Sequence, residues 1–194
     1  MTGLPPTPAQ TVGPFFGYAL PFTGGGDIVP ISHPDAITVH GYVFDGAGQP
    51  IPDALVEIWQ ADRDGGLTGA PGSLRHDPVD GSVVGRDHVE FTGFARVPTD
   101  ADGHWAVRTV PPGAHSANAT PYLAVAVFAR GLLHHLYTRV YLPEHATALS
   151  ADPALSGLPA DRLSTMVAAA ERDRRYRFDI RLQGEGETVF LAFE

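Results

Sequence analysis

The 194-residue sequence contains no cysteine and no lysine. Without cysteine there is no disulfide, no thiolate metal site and no cysteine nucleophile, so any metal would need His, Asp, Glu or Tyr. The missing lysine makes every basic side chain an arginine, which genomic codon bias explains more simply than function does. Positive charge is scarce: 13 basic residues against 22 acidic ones leave a formal net charge of −9. That balance argues against nucleic-acid binding, which needs a basic face. No apolar run approaches membrane-spanning length. Met1 to Gln10 has neither a basic n-region nor an apolar h-region, so no signal peptide is expected and a cytoplasmic location is the default.

Glycine and proline are abundant instead, at 22 and 18 residues, while 43% of the chain is hydrophobic. A chain of this size can bury a core, and its turn-forming residues favour many short strands over a helical bundle. Leu4-Pro5-Pro6-Thr7-Pro8 should be extended, because each proline fixes its own φ and restricts the residue before it. Thr11 to Tyr18 then sets three aromatics beside two glycines, a segment expected to dock and not to trail in solvent. Residues 1–36 read as an N-terminal arm and loop, and residues 1–194 as one domain.

From Ile37 the pattern becomes strand-like. Strands are expected at 37–44, 54–60, 94–97, 104–110, 122–130, 136–142, 176–182 and 188–193, punctuated by turns such as Asp45-Gly46-Ala47-Gly48 and Asp100-Ala101-Asp102-Gly103. The apolar run from Tyr122 to Arg130 reads as a central strand covered on both faces. Leu67 to Val89 is polar and poor in pattern, and reads as a long loop. One short helix is expected over 162–172, with Asp161 as its N-cap and Leu163, Met166, Val167 and Ala170 at helical spacing. The fold class is therefore all-β, a β-sandwich with long loops and one short helix. No internal repeat or second domain is visible.

Several stretches carry a resemblance: Thr7-Pro8-Ala9-Gln10-Thr11-Val12-Gly13-Pro14-Phe15, Val56-Glu57-Ile58-Trp59-Gln60-Ala61-Asp62, Phe128-Ala129-Arg130-Gly131, Leu136-Tyr137-Thr138-Arg139-Val140-Tyr141, and Arg177 through Phe190 with its Gln183-Gly184-Glu185-Gly186-Glu187-Thr188 tail. Together they resemble the protocatechuate 3,4-dioxygenase family of intradiol ring-cleaving dioxygenases, and its alpha subunits in particular. The resemblance implies a β-sandwich of the intradiol type. It implies cleavage of 3,4-dihydroxybenzoate by O2, between the two hydroxyls, to 3-carboxy-cis,cis-muconate. It also implies a beta-subunit partner that binds a non-haem Fe(III) through two Tyr and two His.

The catalytic chains of this family carry His-x-His on the central strand, where residues two apart share a face. Tyr122 and Ala124 stand at those two positions here, and Ala is no ligand. Those chains also place a Tyr just after the Pro-Gly turn, where this chain has Ala114-His115-Ser116 after Pro112-Gly113. The remaining Tyr ligand should lie in the loop after the Trp-Gln-Ala-Asp strand, yet no Tyr occurs between Tyr42 and Tyr122. No metal ligand is therefore expected in this chain. His134-His135 is the alternative candidate, but neighbours on a strand face opposite ways. Solvent or turn roles suffice for His33, His40, His76, His88, His104, His115 and His145. Trp59, Tyr122, Tyr137 and Tyr141 read as core or interface aromatics.

By the same resemblance, Arg130 reaches a pocket shared with the beta subunit and offers positive charge to an anionic, carboxylate-bearing substrate. Without it, a structural ion pair would be the simpler reading of Arg130. Thr11, Gly13 and Pro14 are expected to wall that pocket, Gly13 because backbone without a side chain can approach a ligand closely. The family often has Tyr after this Gly-Pro, whereas Phe15 lacks the hydroxyl. Two other readings stay open: an independently active dioxygenase with displaced ligands, and a non-enzymatic transthyretin-like sandwich. Iron content of the isolated chain discriminates the first, and co-purification with an iron-binding partner the second.

Overall fold

The structure is a computed structural model that describes residues 16–67 and 73–192. Two sheets face each other across one apolar core. One is built on β1 (Ile37–Phe44), which pairs antiparallel with β6 (His104–Thr109) and parallel with β10 (Arg175–Arg177) and β11 (Ile180–Arg181); β9 (Ala169–Arg172) extends it beyond β10. The other has the order β5 (Phe94–Pro98), β2 (Leu55–Gln60), β7 (Leu123–Phe128), β8 (Leu136–Val140), antiparallel throughout. Alternate residues point inward because a strand's side chains have period two. Val39, Val43, Trp105 and Val107 meet Val56, Ile58, Val125 and Val127, all essentially buried. This is the expected sandwich.

β1, β2, β5, β6, β7 and β8 fall where alternation places them. Several expectations need correction. β7 is internal to its sheet but fully buried on one face only: Leu123, Val125 and Val127 are buried, while Ala124, Ala126 and Phe128 are half-exposed. The run looked doubly covered because its outward residues are apolar too. The long polar loop contains a hairpin of β3 (Leu74–His76) and β4 (Val83–Arg86), whose tip is organised by Asp77 Oδ1 accepting from Val79 N. Both strands lie at the surface and bury no alternating face, which hid them.

The expected helix over 162–172 is only α2 (Ala160–Ser164), with Pro159 and not Asp161 at its N-cap. After Thr165 the chain turns so that Met166 O accepts from Tyr141 N, and residues 169–172 become β9. Leu163 and Met166 still pack together, in a second apolar cluster with Tyr141, Leu149, Leu155 and Val189. Two 3-10 segments, Pro143–Ala151 and Pro153–Leu155, start at prolines and were not foreseen.

The expected strand over 176–182 is split into β10 and β11 at Phe178-Asp179. Gly41 of β1 lies directly under the Phe178 carbonyl, where a Cβ would overlap it. Asp179 Oδ1 accepts from Tyr42 N at the same point. Of the strand expected over 188–193, residues 188–192 are described, and they form one bridge, between Leu191 and Tyr137. At the other terminus, Phe16–Ala19 form a short helix, α1, and Ile28 and Val29 are already in the core. Among the described residues no helix is long and apolar enough to cross a membrane.

Candidate active-site pocket and interface face

At the start of β7 the sheets are held by a buried amide. Gln60 at the end of β2 donates from Nε2 to the carbonyls of Ala61 and Val110, and its Oε1 accepts from Thr109 Oγ1 at 2.7 Å. Just beyond it two loops cross. Gly113 N donates to Asp62 O, and the backbones of Gly65 and Ala114 approach so closely that a side chain at Gly65 or Gly113 would overlap the opposite strand of chain. This crossing brings His115 against Tyr122, their rings edge-on at 5.6 Å. A cavity of about 130 Å³ results, lined by Trp59, Gln60, Leu67, His115, Tyr122 and Ala124.

Behind Tyr122 stands a cluster not singled out from sequence. The Arg139 guanidinium sits 4.1 Å from the Tyr122 ring centroid, and its Nη1 donates to the Tyr141 hydroxyl at 3.3 Å. Burial disfavours the Arg139 cation, but the Tyr141 hydroxyl and ring neighbours outweigh that and raise its pKa above the ordinary value. Burial raises the Tyr141 phenol, against the pull of Arg139. Asp152, buried, ties the approach to β7 by accepting from Thr120 N and Ala154 N. The strand pairing shows what the sequence does not: Arg139 lies opposite Ala124 in the β7–β8 register, an arginine at the end of the outward row Phe94, Trp59, Ala124.

The donor set of this cavity does not fit the Fe(III) that the resemblance implies. Ala124 offers no donor, the loop after Gly113 brings His115 and no Tyr, and among the described residues the one phenol on the cavity wall is Tyr122, already covered on one face by a guanidinium. Two His and two Tyr cannot be assembled from these residues. His134 and His135 do not converge either: His135 Nε2 pairs with the Tyr137 hydroxyl at 2.5 Å and its ring lies beside Phe128, while His134 is exposed.

The cavity opens along the outer face of the four-stranded sheet. Two rungs cross it in register: Phe94, Trp59, Ala124, Arg139, and then Arg96, Glu57, Ala126, Tyr137. A groove of about 280 Å³ runs over Trp59, Phe94, Ala124, Ala126 and Tyr137. The small alanines make the trough and the aromatics its walls.

Arg130 lies at the opposite end of β7. Its Nε and Nη2 grip Asp53 in a bidentate pair at 2.5–2.9 Å, with the Arg130 side chain 68% exposed. The structure thus contains the ion pair that the simpler reading anticipated, on a side chain that still faces outward. From Ala124 to Arg130 is six residues, roughly 20 Å of extended chain, so Arg130 does not reach its own chain's cavity. Gly17 of α1 lies against the Asp53 carbonyl, which brings the N-terminal segment to the Arg130 end. Thr11, Gly13 and Pro14 themselves lie outside the described residues.

His40 and His104 are more than turn or solvent histidines. His40 is buried on the outer face of the other sheet, with Nδ1 at 3.0 Å from His104 Nε2 and Nε2 at 2.9 Å from Glu171 Oε2. Arg175 Nε lies 2.9 Å from the same carboxylate oxygen. Arg175 Nε also lies 3.0 Å from His40 Nε2, so the arginine and the imidazole converge on one Glu171 oxygen. These residues joint β1, β6, β9 and β10, far from the cavity in the opposite sheet.

Comparison with known proteins agrees with this geometry. Residues 31–184 match the family model described as Dioxygenase. The chain is 41% identical to the protocatechuate 3,4-dioxygenase alpha chain of Burkholderia cepacia, over 98% of this chain and 99% of that one. It is 27% identical to the protocatechuate 3,4-dioxygenase beta chain of the same organism, over 87% of this chain and 78% of that one. Among solved structures it is similar to the dioxygenase domain of a dioxygenase–carbohydrate-binding protein fusion from the cellulolytic bacterium Streptomyces sp. SirexAA-E. That likeness has a TM-score of 0.57 at 27% identity and covers 93% of this chain and 99% of that one. With a sandwich of this topology, a family model over most of its length and an end-to-end alpha-chain relative, the chain belongs to the intradiol dioxygenase family.

Proposed function

We propose that the chain is the non-iron-binding alpha subunit of a protocatechuate 3,4-dioxygenase. With a beta subunit it forms the site that cleaves 3,4-dihydroxybenzoate with O2 to 3-carboxy-cis,cis-muconate, in the cytoplasm. Fe(III), held by the beta subunit, would supply the activation of the catechol towards O2. The observation that carries this reading is the pairing of full-length similarity to an alpha chain with a cavity whose donors cannot hold the metal.

The geometry supports a division of labour. Alpha and beta chains are related to each other through this sequence, since it resembles both. If two similar sandwiches dock face to face about a near-two-fold axis that runs across the strands, one end of each face lies against the other end of its partner's. The Arg130 end of this chain would then meet the metal end of the partner. Arg130 would supply positive charge to the substrate carboxylate, and the segment with Thr11, Gly13 and Pro14 would wall the same pocket. The apolar groove over Trp59, Ala126 and Tyr137 is the surface the partner would cover.

Expression with and without the beta subunit tests the proposal. Iron, its visible tyrosinate absorption and ring cleavage are expected only when the beta subunit is present, with one iron per pair. A chain that binds iron and cleaves the catechol alone would overturn it.

A further inference from the structure

The cavity at the start of β7 lacks a metal-ligating set, and a cation stands behind its Tyr122 wall. Arg139 faces outward from β8 directly opposite Ala124 of β7. Its guanidinium lies 4.1 Å from the Tyr122 ring centroid and within hydrogen-bonding distance of the Tyr141 hydroxyl. The Tyr122 and Tyr141 rings are 5.9 Å apart, so one guanidinium serves both. A metal held by residues at 122 and 124 would have this permanent positive charge as a neighbour, since Arg139 covers the ring at 122 and lies opposite position 124.

We infer that Arg139 is a built-in cation beside this cavity, whose fixed charge helps to keep metal ions out of it. Missing donors and a fixed charge exclude the metal through separate residues, Ala124 and Arg139. Arginine suits the role because it stays protonated at every accessible pH and its flat face stacks on a ring, so the exclusion has no pH at which it lapses. Repulsion also grows with the charge of the incoming ion, so a trivalent ion is rejected more strongly than a divalent one. The inference rests on the reading of this chain as the iron-free partner.

The test restores a donor and asks whether the charge matters. Ala124→His sets an imidazole two residues from Tyr122 on the same face and near His115. Complexes carrying Ala124→His, Ala124→His/Arg139→Gln and Ala124→His/Arg139→Lys are titrated with Co(II), and uptake above the wild-type complex is measured by equilibrium dialysis. Removing the charge is expected to tighten Co(II) binding at least tenfold over Ala124→His alone. Arg139→Lys, which keeps the charge and loses the planar stacking, is expected to behave like Ala124→His alone. Uptake that is the same with and without the charge at position 139, including none in either, overturns the inference. Iron in the isolated wild-type chain would instead overturn the functional reading, so the two failures are separable.

Discussion

At the scale of single residues, Arg130 is the side chain on which the functional reading is most exposed to test. Its bidentate hold on Asp53 aims the guanidinium outward, and an exposed ion pair of this kind contributes only about 0–1 kcal/mol to folding. Arg130→Ala should therefore leave the melting temperature of the complex nearly unchanged. A charge-assisted bond to a substrate carboxylate contributes about 1.5–3 kcal/mol, so kcat/KM for 3,4-dihydroxybenzoate should fall on the order of tenfold to hundredfold. Catechol, which has no carboxylate, should be much less affected. Arg130→Lys should recover only part of the loss, because a point charge does not reproduce the planar fork. Steady-state kinetics on both substrates check this, and equal losses on the two would remove the carboxylate from the argument. That Arg130 needs a partner was legible, because a charge ends an apolar strand there, and the structure gives it Asp53. Arg139 was not, since Leu136 to Tyr141 reads as an ordinary half-buried strand and only the register with Ala124 shows what the arginine faces.

At the scale of elements, the parallel docking of β10 and β11 on β1 is held by two devices that can be perturbed separately. The first is backbone contact at Gly41, where any side chain would overlap the Phe178 carbonyl. Gly41→Ala should lower stability by about 1–3 kcal/mol, as overpacking does, seen as a lower urea midpoint. The second is the His104–His40–Glu171 relay with Arg175. Burial, and then the neighbouring His40, lowers the His104 pKa below 6.5, with Asp100 opposing and Arg175 and Arg177 adding to the effect. The hydrogen bond from His40 leads in lowering Glu171 below 4.5. Both groups take up protons more readily in the unfolded chain, so stability rises with pH across each range. Acid should first weaken the fold as pH falls through the ordinary histidine range, and again through the carboxylate range. His104→Gln should flatten the first slope between about pH 7 and 5, measured as urea midpoint against pH; an unchanged slope would assign it elsewhere. The same sheet shows where sequence patterning stops. β1 and β6 alternate strongly and are legible. β9, Ala169-Ala170-Glu171-Arg172, is exposed at all four residues and has no inward row to reveal it. Its helical spacing was real only as far as Leu163 and Met166, which pack in the second cluster. The parallel partnership of β10 with β1 joins residues more than a hundred positions apart, and local pattern carries no record of it.

At the scale of the whole molecule, the two outer faces of the sandwich differ in a way that bears on assembly. The face built on β1 carries His40, His104, Glu171, Arg175, Arg177 and Asp179, tied to one another by hydrogen bonds and ion pairs. The face built on β2 and β7 carries Trp59, Phe94, Ala124, Ala126 and Tyr137 around a shallow groove, with the Glu57–Arg96 pair beside it. Apolar centre and charged border are what a lasting protein interface requires, and in this family the proposed occupant is the homologous beta chain. Ala126 tests that assignment, because it lies between Glu57 and Tyr137 in the middle of the second rung and points away from the core. Ala126→Arg adds a charge to the proposed interface while leaving the inward row of Leu123, Val125 and Val127 untouched. An outward substitution of this kind should change the stability of the chain by no more than about 0.5 kcal/mol. Burying an unpaired guanidinium against the partner should weaken association at least tenfold, seen as separate chains in size-exclusion chromatography and as lost ring cleavage at low protein concentration. Activity should return as the beta subunit is added in excess, since the catalytic residues are unaltered. A variant complex that co-elutes and turns over like the wild type would move the partner off this face, and with it the argument that places Arg130 at the partner's metal site.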